Sequence, residues 1–225
     1  MVEHTSAAAF PDIVLLRHGE TQWNRVGRYQ GQQDSPLTLA GIGQIRAIAR
    51  SLRPHLREPG LYRVWSSPLM RTRQSVSILC EELGLSYEDV SFDDRLMERA
   101  YGRWEGLTIG EIAARYPEDL DMEKADRWHF AIPGGGESFA AVANRLRDWL
   151  KDVPGDRPVI AMAHGGSGRV LRGVCTGSEP QRVFAYDDPQ STAVLISNGV
   201  STAVGAEGRY LMEYGCEDAG KRVRI

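Results

Sequence analysis

The stretch that decides the fold is Ile13-Val14-Leu15-Leu16-Arg17-His18-Gly19-Glu20-Thr21. Four branched apolar residues in succession show no alternation, the pattern of a strand covered on both faces. The run stops at Arg17-His18-Gly19, so the strand ends in polar side chains and a glycine. In open α/β sheets, ligands bind in the crevice beyond the carboxyl ends of the strands. The stretch therefore predicts a buried strand that delivers a histidine to a site, and His18 is read as a nucleophile for a phosphoryl group.

A second stretch has the same grammar. Pro158-Val159-Ile160-Ala161-Met162-Ala163 is a continuous apolar run that ends in His164-Gly165-Gly166. Between the two, Leu61–Ser66 reads as a buried strand ending in Ser66-Ser67-Pro68. A helix from about Pro68 to Leu83 follows, with proline in its first turn, Gly84 past its end and Arg71 near its start. Further helices are predicted from Thr38, as N-cap, to Arg53, and from Thr108, in capping-box spacing with Glu111, to Pro117. Two more run from Ser138 to Leu150 and from Ser167 to Cys175. Tyr87–Leu96 reads as a strand with a turn in it, and Ala193–Ser197 and Arg209–Tyr214 as the last two strands. The stretch Glu118–Gly136 is charged, aromatic and then glycine-rich, and reads as a lid. Alternating strands and helices with continuous apolar strands define an α/β fold. We expect a three-layer α/β/α sandwich with a mostly parallel central sheet and a lid-like insertion. A single domain is expected over 1–225, with 1–10 and 217–225 as flexible tails.

The net charge of −3 gives no reason to expect nucleic acid or an acidic membrane as partner. An anion site must then come from a local cluster of basic groups. Cys80, Cys175 and Cys216 are far apart and lack metal-ligand spacing, which suits reduced thiols in a cytoplasmic protein. Met1–Pro11 has neither a basic nor an apolar signal region, and no apolar run approaches the ~18 residues of a membrane span. Gly134-Gly135-Gly136 is followed by no Lys-Ser or Lys-Thr, which argues against a nucleotide P-loop. No His-x-His or His-Glu-x-x-His is present, so no metal is expected.

Phosphoryl transfer accounts for the polar strand ends. A phosphate monoester is a dianion, so cations and amide donors must converge on its non-bridging oxygens. Arg17 and Arg71 are suited to this by the planar fork of the guanidinium. The same cations oppose protonation of His18 and keep it nucleophilic. Glu98 is the candidate proton donor to the leaving oxygen, a role that asks for a carboxyl pKa raised toward ~6–7. Glu105 is the runner-up, while Asp93 and Asp94 read as cap or turn residues. His164 is expected to donate to the phosphoryl oxygens in its protonated form.

Several blocks occur in an order that resembles the histidine phosphatase superfamily, which includes cofactor-dependent phosphoglycerate mutases and many small phosphatases. They are Arg17-His18-Gly19-Glu20-Thr21 with Trp23-Asn24, Gly27-Arg28-Tyr29-Gln30-Gly31, Asp34-Ser35-Pro36-Leu37-Thr38, and Ser66-Ser67-Pro68 through Arg71 to Ser75. Leu96-Met97-Glu98 with Tyr101-Gly102 and Trp104-Glu105-Gly106, then Gly136-Glu137-Ser138 and Ala163-His164-Gly165-Gly166, complete the set. The resemblance implies a covalent mechanism with neither metal nor other cofactor. His18 attacks phosphorus, Glu98 serves as acid and then as base, and Arg17, Arg71 and His164 hold the phosphoryl group. It also implies that Asn24 and Gln30 touch the phosphate. Thr21, Tyr101 and Gly165 complete the expected substrate-binding set.

A mutase, which would need a bisphosphoglycerate primer, is the alternative to a phosphatase. Family mutases carry a longer insertion with an adjacent arginine pair and tend to have Asn at the place of Gly166. Here the insertion is short and offers Lys124 and Arg127. Phosphatase is therefore favoured, with a non-catalytic phosphate-binding relative third. The expected partner is a small-molecule phosphate ester. Sugar phosphates, phosphoglycerate-like acids and aromatic phosphates fit alike, and contacts from Trp128 and His129 are left open. So is a homodimer, because the final strands suit a free or a paired edge equally.

Overall fold

The computed structural model describes residues 10–187, 189–206 and 210–214, the last five by their backbone alone. The expected tails lie outside these residues except for Phe10, which packs against the core. Cys216 lies outside them too.

One sheet of seven strands organises the chain: β1 Ile13–Arg17, β2 Arg63–Ser66, β3 Ser91–Phe92, β4 Val159–Ala163, β5 Thr192–Ser197, β6 Val200–Gly205 and β7 Tyr210–Tyr214, in the order β3-β2-β4-β1-β5-β6-β7. The pairings β3-β2, β2-β4 and β4-β1 are parallel, and those from β1 onward to β7 are antiparallel. Strands β1, β2, β3, β4 and β6 therefore run one way and β5 and β7 the other, so the sheet is mostly parallel.

Helices cover both faces, and the strand pleat sorts the side chains between them. From β1, Ile13 and Leu15 face α6 (Phe139–Asp152) and α7 (Gly165–Thr176), packing in one cluster with Val142, Leu146, Trp149, Val170 and Leu171. Val14 and Leu16 face α2 (Leu39–Leu52) and α3 (Met70–Leu83), with Ile45, Ile48, Leu52, Val76 and Leu79. Burying each such aliphatic side chain contributes about 1.5–3 kcal/mol relative to exposure. Caps fix the helix starts and stops: the Thr38 hydroxyl accepts from Gly41 N at 3.0 Å, and Gly84 ends α3 at φ 74°.

The short helices are α1 Gln22–Arg25, α4 Ile109–Arg115, α5 Pro117–Ala125 and α8 Pro180–Ala185. The stretch expected to be lid-like contains α5. With α4 it shares a small core of its own around Trp104, Ile112 and Ile132. Asp119 of α5 is buried there, accepting from Arg103 Nε at 2.8 Å and Trp104 Nε1 at 3.2 Å.

Three expectations need correction. Of the predicted strand Tyr87–Leu96 only Ser91–Phe92 pairs, because 3-10 turns at Tyr87–Asp89 and Asp94–Leu96 take the rest. Asp93 caps the second of these turns by accepting from Arg95 N at 2.8 Å. Strand β6 was not predicted, although Asn198-Gly199 (φ 49° and 77°) is the turn chemistry of a two-residue hairpin. Helix α8 was not predicted either.

Candidate active site

Parallel pairing in register brings the two His-Gly ends together. Arg17 of β1 stands opposite Ala163 of β4, so His18 and His164 each follow a matched pair. His18 N donates to Ala163 O at 3.2 Å, and the two imidazole centroids lie 5.2 Å apart. From the neighbouring end of β2, Ser67 N donates to Met162 O at 3.0 Å. The carboxyl ends of three adjacent strands thus converge.

His18 is buried, and its Nδ1 lies 2.7 Å from Gly19 O. A carbonyl only accepts, so Nδ1 carries the proton and Nε2 presents a lone pair. Burial lowers the imidazole pKa well below its ordinary value, and the Arg71 and Arg17 charges lower it further. The sequence reading credited the cations with keeping His18 neutral; burial is the larger cause.

His164 differs from expectation. Arg71 Nε donates to its Nδ1 at 3.1 Å, which leaves the proton on Nε2, 2.8 Å from Ser67 Oγ. Burial, followed by the Arg71, His18 and Arg17 charges, pushes its pKa well down. The ring is a neutral donor here; the protonated form expected from the sequence is the one that a phosphate charge beside it would stabilise.

Arg71 is 1% exposed and heavily engaged. Besides His164, Nη1 donates to Gln33 O at 2.6 Å and Asp34 Oδ1 at 2.8 Å, and Nη2 to Gly31 O at 2.7 Å. A guanidinium has five N–H groups, so among the described residues a single Nη2 N–H is left for a ligand. Arg71 thus organises His164 and the 31–34 loop. Asp34, quoted within a sequence block but given no role, is its counter-ion.

Glycines make room for the charged groups. A Cβ on Gly165 would meet the Arg17 Cζ at 3.0 Å, and one on Gly166 the Glu98 Oε1 at 2.5 Å. Gly165 therefore serves through the space it leaves for the Arg17 guanidinium. The Glu98 carboxylate sits at the N-terminus of α7. Its Oε1 accepts from Ser167 N and Arg99 N, both at 2.8 Å, and its Oε2 from Gly166 N at 2.9 Å. Oε2 thus retains a lone pair that can carry a proton. Glu105 is a staple instead: its Oε1 accepts from Gln32 N and Tyr101 N, each at 3.0 Å.

The expected substrate-binding residues divide. Thr21 is fully buried as N-cap of α1, its hydroxyl accepting from Asn24 N at 3.1 Å, so it shapes the loop. Asn24 Oδ1 accepts from Thr21 N, Thr21 Oγ1 and Gln190 Nε2, which leaves its Nδ2 as the group to donate to a ligand. Gln30 is 6% exposed and its Oε1 is unpartnered among the described residues. Tyr101 lines a cleft beside Gly166 that also holds Arg127 and Arg169. Trp128 stacks on Phe139 at an interplanar angle of 15°, and the His129 ring lies 3.1 Å from Asp126 Oδ1. Packing and a surface pair account for both. Sequence reasoning missed Ser67 as the partner of His164, and missed Arg169, which stands one helical turn after Gly166.

The site thus holds a neutral, buried imidazole flanked by the Arg17 and Arg71 charges, its Nε2 without a hydrogen bond among the described residues, and a carboxylate at the N-terminus of α7. Among the described residues no group of three His, Cys, Asp or Glu is placed to hold a metal. The chain belongs to the histidine phosphatase superfamily (branch 1), which it matches over residues 13–200. It is 37% identical to phosphoserine phosphatase 1 of Hydrogenobacter thermophilus over 77% of this chain and 80% of that one. Identity to a metal-independent phosphoserine phosphatase of Arabidopsis thaliana is 38%, over 72% and 66% of the two chains. A probable phosphoglycerate mutase, GpmB, of Escherichia coli is 34% identical over 68% and 69%. The native structure of mycobacterial glucosyl-3-phosphoglycerate phosphatase superposes with a TM-score of 0.70 at 30% identity, covering 91% of this chain and 96% of that one.

Proposed function

We propose that the chain hydrolyses small-molecule phosphate monoesters through a phosphohistidine on His18. The observation that carries this reading is the Nδ1–H···O=C bond to Gly19 in a buried, cation-flanked site, which aims a neutral Nε2 lone pair outward. In the first step the His18 Nε2–P bond forms as the P–O ester bond breaks. Glu98 Oε2 gives its proton to the leaving alkoxide, Arg17 and the Arg71 Nη2 stabilise the equatorial oxygens, and the His164 Nε2–H joins them by exchanging Ser67 Oγ for a phosphoryl oxygen. In the second step Glu98 takes a proton from water, water oxygen bonds to phosphorus, and Nε2 leaves with its electron pair. Inorganic phosphate results, and no metal or other cofactor takes part.

Phosphatase is favoured over mutase because the insertion's cations are already engaged. Lys124 Nζ lies 3.2 Å from Asp121 on the surface, and Arg127 Nε lies 3.3 Å from Glu123. The described cysteines, Cys80 and Cys175, are buried and their thiols are pushed up to about 11 and about 12 by that burial. Inert, unbridged thiols support a reducing, cytoplasmic setting.

The test is a rapid quench in base during turnover of p-nitrophenyl phosphate, followed by peptide mass analysis. A phosphoryl group on the peptide holding His18, and an inactive His18→Ala enzyme, are expected. A turning-over His18→Ala enzyme, or a phosphoryl group elsewhere, overturns the mechanism.

A further inference from the structure

Beside the phosphoryl site lies a narrow cleft lined by Tyr101, Arg127, Phe139, Gly166, Arg169 and Phe184. It adjoins Glu98, because Gly166 is both a wall of the cleft and a donor to that carboxylate. A leaving oxygen protonated by Glu98 brings its carbon skeleton to this side. Arg169 reaches both regions, since it also lines the inner space shared with Arg17 and His164.

Arg169 lacks what Arg71, Arg99 and Arg127 possess. Arg71 has Asp34, and Arg127 and Arg99 share Glu123 at 3.3 and 3.8 Å. Among the described residues Arg169 has no ion pair, and its buried Nε has no hydrogen-bond partner. A half-buried guanidinium is costly without a counter-ion and is suited to a planar, bidentate one. Around the cleft, Arg99 and Arg127 share Glu123, which leaves Arg169 as a guanidinium with no carboxylate of its own among the described residues. That matches a carboxylate better than a second phosphate dianion.

We infer that Arg169 reads a carboxylate on the leaving group, so that the enzyme selects small phosphorylated carboxylic acids over phosphate esters of neutral alcohols. The inference rests on the phosphatase reading above.

The test compares kcat/KM for 3-phosphoglycerate and glycerol 3-phosphate, which differ by a carboxylate in place of a hydroxymethyl group. The wild-type ratio is expected to favour the acid by about ten- to a hundredfold, the range of a hydrogen-bonded charge. Arg169→Gln is expected to bring the ratio close to one, and Arg169→Lys to keep part of it. Because both esters are assayed on one preparation, the ratio is independent of how much of a variant folds. A wild-type ratio near one overturns the inference, and so does an Arg169→Gln ratio equal to wild type, which would mean that Arg169 serves the phosphoryl group common to both esters. If p-nitrophenyl phosphate is hydrolysed and neither ester is, the inference fails and the phosphatase reading stands. If none of the three releases phosphate, that reading fails and the inference falls with it.

Discussion

Asp34→Ala should destabilise the protein and the site together. Asp34 Oδ1 accepts from Arg71 Nη1 at 2.8 Å and from Arg71 N at 3.3 Å, while Oδ2 accepts from Met70 N at 2.7 Å. It thus balances a guanidinium that is 1% exposed and caps α3, whose N-cap residue Leu69 makes no side-chain bond. Burial pulls the Arg71 pKa down, and Asp34 is the largest influence opposing it. Removing one partner of a buried pair costs about 3–5 kcal/mol. The Asp34 side chain is 22% exposed, so water reaches its place and the lower end, about 3 kcal/mol, applies. The lost cap adds about 1 kcal/mol. At about 2–4 °C per kcal/mol for a chain of this size, the midpoint should fall by roughly 8–16 °C. Asp34→Asn keeps an acceptor for the cap and loses the charge, so it should fall between. Arg71 orients His164 through Nε, so kcat/KM on p-nitrophenyl phosphate should drop with both variants, more for Ala. Thermal unfolding followed by circular dichroism, with the phosphatase assay alongside, measures both quantities. An Asp34→Ala midpoint within about 2 °C of wild type would refute the pairing argument.

Other expectations follow from local geometry. Gly41→Ala should destabilise by about 1–3 kcal/mol in urea titration, despite the better helix propensity of Ala, because its Cβ would collide with the backbone carbonyl of Glu20; a variant as stable as wild type contradicts this contact. Stability should fall with pH below about 6.5, since the unfolded chain binds protons on His18 and His164 while the native imidazoles, with lowered pKa values, stay neutral. The slope is about 1.4 kcal/mol per pH unit for each histidine, full stability being present above that range; an unfolding midpoint that is flat from pH 7.5 to 5.5 sinks it. Glu98→Gln should slow an alkyl phosphate by about 10²–10⁴ and p-nitrophenyl phosphate much less, because nitrophenolate leaves without a proton. Equal losses on both substrates would remove Glu98 from the proton-donor role.

What the sequence made legible follows from where the physics is local. Continuous apolar runs identified β1 and β4, because burial on both faces admits few other compositions. Thr38, Thr108 and Ser138 announced helix starts through caps that need only three neighbouring residues, and each one caps as expected. The third strand was overextended, because Tyr87–Leu96 mixes apolar and acidic residues; Asp93 signals and caps its second turn, while the first packs against α3 from outside the stretch. The state of His164 was illegible for a similar reason. Its neutrality rests first on burial and then on the charge of Arg71, 93 positions away, and no spacing in the chain encodes either. Arg169 escaped notice because an arginine on a helix is ordinarily a solvated surface residue. Only the absence of a counter-ion around the folded cleft distinguishes it.

Two copies of one short pattern make a single site because of register and pleat. With Arg17 opposite Ala163, the residues that follow stand side by side, and successive side chains leave the sheet on opposite faces. Arg17 continues the side of Ile13 and Leu15, toward α7, where Gly165 leaves room for its guanidinium. His18 and His164 continue the side of Leu16 and Met162, toward α3, where Arg71 waits and where Ser75 Oγ accepts from Gly19 N at 3.1 Å. The strand ends are therefore flanked from both faces of the sheet, by Arg17 on one and by His18, His164 and Arg71 on the other. A slip of one residue in β1 would exchange those faces. It would turn His18 toward α7 and Arg17 toward α3, and it would bury the wrong alternate set of Ile13–Leu16. The same apolar alternation that holds the sheet between its helices thus sets which face presents Arg17 and which presents the two histidines.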